Sequence, residues 1–194
     1  MYSMNYIYGL VLFIVIASAL IFIQSINNEL TYYVSTVDNK KYLVRNDDRK
    51  HESANYMARV QKKIYILLEH MKSNYGDDGR VQRLLQKYNS DNICESMKNS
   101  IYTSYSVNKG EKIVICIKEK DKEETFIDMN TTVFVVIHEI AHIMTKSVGH
   151  NKDFWDNMKF LLENSIKLGI YTKEDYKNAP KKYCGIMITD SPLD

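Results

Sequence analysis

Two histidines four residues apart bracket a glutamate in the run His138-Glu139-Ile140-Ala141-His142. On a helix, positions i and i+4 share one face, so the two imidazoles could occupy two corners of a zinc tetrahedron. Glu139 sits one step round from His138, where a carboxylate reaches a water at the open corner instead of the metal. The H-E-x-x-H spacing supports peptide hydrolysis on this division of labour: water attacks a carbonyl and the glutamate takes its proton. Chance alone puts the pattern in roughly one chain in a hundred of this composition, so the motif is not an assignment by itself. An amphipathic helix with two hydrogen-bonded histidines is the plain alternative. Against it, Val133, Phe134, Val135, Val136 and Ile137 run into the motif. The histidines therefore belong to a largely buried element, where an unsatisfied imidazole is costly.

A catalytic zinc needs a third protein ligand and one open position. His150 follows the turn Ser147-Val148-Gly149, where the chain can swing back toward the metal, and Phe154-Trp155 would pin the returning loop to the core. Glu163, on the next helical stretch, stays open as the alternative, at a spacing close to that of thermolysin-like enzymes. The extended metzincin pattern would require glycine at Thr145 and histidine at Val148, and neither is present. His51 and His70 lack ligand spacing and read as surface or interface residues. Tyr171 and Tyr183 are possible oxyanion donors, with nothing to single out either.

The elements that must position these residues are legible from periodicity. Val34 to Val37 and Lys41 to Val44 read as short strands around Asp38-Asn39-Lys40. Met57, Val60, Ile64, Leu67, Leu68 and Met71 recur at helical spacing between about Asp48 and Asn74. A short helix through Val81, Leu84, Leu85 and Tyr88 follows a Gly/Asp-rich break. Ile101 to Val107 and Ile113 to Ile117 alternate around Asn108-Lys109-Gly110 as a hairpin. Lys118 to Glu124 reads as a solvated charged loop. The motif helix spans Thr131 to Thr145, and another spans Asp153 to Leu168 before Gly169. Gly185 to Ile188 adds one further strand. The class is α+β, built on a small antiparallel, hairpin-based sheet.

Ahead of this domain, 1–28 carries no ionisable side chain, and Ile7 to Ile23 is almost unbroken Ile, Leu, Val, Phe and Ala. Seventeen residues at 1.5 Å each cover about 25 Å, close to a bilayer's hydrocarbon core once the flanks are added. The reading is a single-pass membrane anchor through 7–23, followed by one catalytic domain over 29–194. A cleaved signal peptide is the rival, because Ala17-Ser18-Ala19 has small-x-small form, but no Lys or Arg precedes the run. The first cations, Lys40, Lys41 and Arg45, follow the span, which places the catalytic domain on the cytoplasmic side.

Among 194 residues the net charge is only +2, and Lys and Arg alternate with Asp and Glu, so no basic stripe argues for nucleic acid. Cys94, Cys116 and Cys184 are odd in number and share no C-x-x-C spacing. They read as free thiols in a reducing compartment, in agreement with the cytoplasmic placement.

The motif helix together with Gly149-His150-x-x-x-Phe154-Trp155 resembles the WLM and SprT-like minimal zincins over roughly Thr131 to Leu168. Tyr42-Leu43-Val44-Arg45, the helix around Ala54 to Met71, Ser104 to Ile117 and Tyr183-Cys184-Gly185 are similar to a WLM-like set encoded by large eukaryotic DNA viruses. The resemblance implies a small minimal zincin whose hairpin strand lies beside the active-site helix and binds an extended substrate. It also implies one Zn2+ per chain on His138, His142 and His150, with Glu139 as the base, acting on a protein or peptide. Cellular members of the group cleave proteins crosslinked to DNA. The absence of a basic patch argues against carrying that substrate over, and it stands here only as an alternative. A membrane-anchored scaffold with a structural or vestigial zinc site is the other.

Overall fold

The computed structural model describes residues 2–26 and 29–194, with side chains described for 6–22 and 29–194. A helix, α1 (Tyr2–Ile26), precedes a hairpin of β1 (Leu30–Val34) and β2 (Lys41–Arg45). Two helices follow, α2 (Lys50–Tyr75) and α3 (Gly79–Lys87), then the short strand β3 (Ile93–Glu95). A second hairpin, β4 (Tyr105–Val107) and β5 (Lys112–Ile115), leads to α4 (Met129–Met144) and α5 (Lys152–Lys167). The chain closes on a small hairpin of β6 (Lys181–Tyr183) and β7 (Ile186–Ile188).

Five strands form one sheet in the order β1-β2-β3-β5-β4. The two hairpins are antiparallel, as expected, but β3 joins them by parallel pairing on both sides, Leu43 with Cys94 and Ile93 to Glu95 with Ile113 to Ile115. The sheet is therefore mixed, not purely antiparallel. Parallel neighbours need a long crossover, and α2 with α3 supplies it. β4 is left at one edge, and its strand begins only at Tyr105: Ile101, expected in the hairpin, is 87% exposed outside it.

The helices form where the apolar spacing predicts. Met57, Val60, Ile64, Leu67, Leu68 and Met71 of α2 are all buried. Asp128 caps α4 by accepting from the Thr131 backbone N–H at 3.0 Å, and Asn151 caps α5 by accepting from Phe154 N–H at 3.1 Å. Each satisfies one of the four amide donors that a helix start leaves unpaired. The core is shared between α2, α4, α5 and the sheet, and includes Ile113, Ile115, Val136, Ile137, Ile140, Phe154 and Leu161.

Further readings of the sequence need correction: the first strand, expected over Val34 to Val37, runs instead over Leu30–Val34, and residues 35–37 belong to the turn region. Cys116 and Cys184 form a disulfide that ties the end of β5 to the β6–β7 hairpin, leaving only Cys94 free and buried. No C-x-x-C spacing announces it, because its partners are 68 residues apart and meet only through the fold. The start of the charged run is not solvated either. Lys118 is fully buried, with its ammonium 3.2 Å from Glu95 and 2.5 Å from Asp47. Arg45 closes the same cluster, with Nε 3.4 Å from Glu95 and Nη1 2.8 Å from Glu124.

The described side chains of α1 are uncharged, mostly apolar and almost all exposed. Among the described residues, no helix is long and apolar enough to cross a membrane. The remaining part of the expected span and its flanks, 23–28, lies outside the described side chains.

Candidate metal centre

α4 presents His138 and His142 on one face, with ring centroids 4.9 Å apart. The loop after α4 then turns back through Gly149, whose φ of +85° is a conformation that side chains rarely adopt. This return sets His150 Nε2 3.0 Å from His138 Nε2 and 3.1 Å from His142 Nε2. Phe154, fully buried in the first turn of α5, packs under all three rings at 4.8, 4.4 and 4.7 Å. Trp155 flanks His150 at 5.6 Å and stays partly exposed. Glu163 lies exposed on α5 and does not join the cluster.

The donor set fits a zinc ion. Four ligands at about 2.0–2.1 Å on a tetrahedron stand about 3.3 Å apart, near the nitrogen separations here. Each Nε2 offers either one proton or one lone pair, so no choice of tautomers gives all three nitrogens a full hydrogen bond of their own. Burial and the neighbouring imidazoles push His138 down to about 3 and His142 down to about 4. Both rings are thereby held neutral, the form that ligates.

Glu139 is 4% exposed and lines the same cleft as the histidines. Burial pushes its carboxyl up to about 8, and no ion pair or hydrogen bond to it occurs among the described residues. The cleft has a volume of about 520 Å³. Its far wall is the β4 edge and its approaches, Ser104, Tyr105, Ser106, Asn108 and Lys109. Tyr183 does not line it: its hydroxyl stands behind the wall, 2.5 Å from Ser104 Oγ. Tyr171 is buried elsewhere, with its hydroxyl 3.4 Å from that of Tyr176. Sequence reasoning overlooked Ser104 and Lys109 as parts of the cleft. The resemblance set the hairpin strand beside the motif helix, but nothing in the sequence singled out these two side chains.

The WLM domain profile matches residues 35–190. An uncharacterized protein of Acanthamoeba polyphaga mimivirus is 30% identical over 192 residues, covering 96% of this chain and 97% of that protein. An uncharacterized protein of Invertebrate iridescent virus 6 is 34% identical over 103 residues, 52% of this chain and 56% of its own length. Among solved structures, Wss1 from Saccharomyces cerevisiae superposes with a TM-score of 0.51 at 20% identity, over 65% of this chain and 87% of that one, a likeness of fold. A profile matched over most of this chain, and a viral relative aligned nearly from end to end, place the chain in the WLM domain family.

Proposed function

We propose that the chain is a zinc-dependent endopeptidase held at a membrane by its N-terminal helix. The observation that carries the catalytic part is Glu139. A buried carboxyl with no cation and no hydrogen-bond donor among the described residues is costly to keep, and a purely structural zinc site has no use for one. Beside the three imidazoles and open to the cleft, it is placed to act as a base.

His138, His142 and His150 would hold the ion, and Phe154 beneath them keeps their rings oriented. When bound, zinc supplies Lewis acidity, which makes water a nucleophile near neutral pH and polarises a carbonyl. A cation at the imidazoles would also stabilise the Glu139 carboxylate and draw its proton affinity down from the raised value. Glu139 then takes the proton of the attacking water and returns it to the leaving amine. The edge of β4 offers unpaired backbone groups along the cleft, so an extended peptide can add to the sheet there and lie across the histidines. The substrate class is accordingly protein or peptide.

The membrane part rests on the uncharged, exposed run over 6–22. These seventeen residues cover about 25 Å and need their flanks to complete a span. The cytoplasmic side is supported by Lys40, Lys41 and Arg45 alone, since the disulfide removes the argument from free thiols. The full chain should remain in the carbonate-washed membrane fraction and lose that behaviour when 1–28 is deleted. A full chain released by carbonate ends the anchor.

The catalytic test is metal content and hydrolysis of an unfolded protein by the full chain and its Glu139→Gln variant. About one zinc per chain is expected in both, with hydrolysis lower by about 10²–10⁴ in the variant. A folded chain that takes up no zinc overturns the reading. Equal hydrolysis by parent and variant favours the scaffold instead.

A further inference from the structure

The turn between β4 and β5 has three consecutive residues at positive φ: Asn108 at 45°, Lys109 at 55° and Gly110 at 109°. Asparagine and glycine tolerate this region, whereas lysine is disfavoured there by roughly 1–2 kcal/mol. Glycine would suit the backbone at 109 better, so whatever keeps a lysine there acts through its side chain. That side chain crosses to the loop behind α4. Its ammonium donates to the carbonyls of Thr145, Lys146 and Ser147 at 2.6, 2.5 and 2.8 Å. All three donors of a lysine are thereby used on three successive carbonyls, in the loop that ends at His150.

Other ties on that loop come from α3 and from the loop's own flank. Arg83 donates to Met144 O at 2.6 Å, Asn157 to Thr145 Oγ1 at 2.9 Å, and Asn151 to Ser147 Oγ at 2.6 Å. Lys109 contributes the bonds to the backbone of residues 145–147 from the opposite wall of the cleft. The approach is close: a Cβ at Gly110 would lie 3.2 Å from Ile143 Cδ1, on the last turn of α4. A cation also belongs at a helix C-terminus, where carbonyl ends gather negative potential.

We infer that Lys109 is a positioning residue for the metal: it latches the substrate-side hairpin to the loop that delivers His150, and so sets how tightly the three histidines hold zinc. The inference rests on the zinc site proposed above and extends it to a residue outside the three histidines, on the facing wall of the cleft. Groups that orient ligands from outside the coordination sphere are worth 10–100-fold in metal affinity. The latch also joins the two walls of the cleft, so a peptide pairing with β4 would bear on the same turn that holds His150 in place.

The test uses the full chain, zinc alone as the probe, and competition against a chelating indicator. Lys109→Gly relieves the backbone while removing the ammonium, two opposed effects on stability, so the chain should still fold without metal. Zinc should nevertheless bind about 10–100-fold more weakly. Lys109→Arg should recover part of the loss, because a cation returns to the carbonyls. In a His150→Ala background, Lys109→Gly should produce no further loss, because the loop then carries no ligand. Zinc binding within twofold of the parent in Lys109→Gly overturns the inference and leaves the zinc site standing. An undiminished loss in the His150→Ala background also overturns it, by showing that the latch acts on something other than His150. A parent chain that binds no zinc overturns the site and the latch together.

Discussion

Glu95 and Glu139 are the same residue type at nearly the same depth, 0% and 4% exposed, and burial raises the proton affinity of both carboxyls. Their surroundings are opposite. Glu95 stands at the end of β3 between the fully buried Lys118 and Arg45, and accepts from the Arg45 backbone N–H at 2.8 Å. These charges oppose the effect of burial, and the cluster ties β2, β3 and the segment after β5 together. Glu139 faces the cleft with no such partner among the described residues. Burial alone therefore does not tell the two carboxyls apart; what distinguishes them is whether the fold has surrounded the group with cations or left one side open.

The contrast can be broken most severely at Lys118. Lys118→Met keeps much of the volume but strands Glu95 beside Arg45 alone, and unfolding in urea should show a loss of about 3–5 kcal/mol. A loss under 1 kcal/mol would mean that the cluster is not what holds this end of the sheet. Reduction of the Cys116–Cys184 bond comes next. It should lower the unfolding free energy by about 2–4 kcal/mol through a less constrained unfolded chain, and should loosen the hairpin that places Tyr183 behind Ser104. Thiol titration of the unfolded, unreduced protein should find one reactive cysteine, and three would remove the disulfide from the account. The smallest effect is expected at the second glutamate. Glu139→Gln replaces a partnerless carboxyl that burial penalises by a neutral isostere, so stability without metal should not fall at neutral pH, and should rise, while hydrolysis collapses. A large loss of stability there would make Glu139 a second Glu95.

Much of the site was legible because it is local. His138 and His142 share a face by helical geometry, and the turn to His150 is short enough for spacing to suggest a return. The long helices were legible too, since α2 and α4 bury continuous stripes that repeat with the helical period. β3 was missed. It is three residues long and carries no alternation, and its pairing depends on strands about 20 and 50 residues away in the chain. Lys118 was misread for a related reason: a lysine in a charged run looks solvated until the fold brings Glu95 and Asp47 to it.

The sequence by itself determined the residues with metal-ligand spacing, the glutamate beside them, the helices that carry them and the uncharged N-terminal run, because each is written within one or two turns of chain. Only the tertiary structure decided that His150 and not Glu163 joins the other two histidines, which side chains of the β4–β5 hairpin line the cleft, that Cys116 meets Cys184, and that Lys109 spans from the hairpin to the His150 loop. Each of those depends on where distant segments come to lie, and that follows from how apolar faces pack together, not from any spacing between neighbours in the chain.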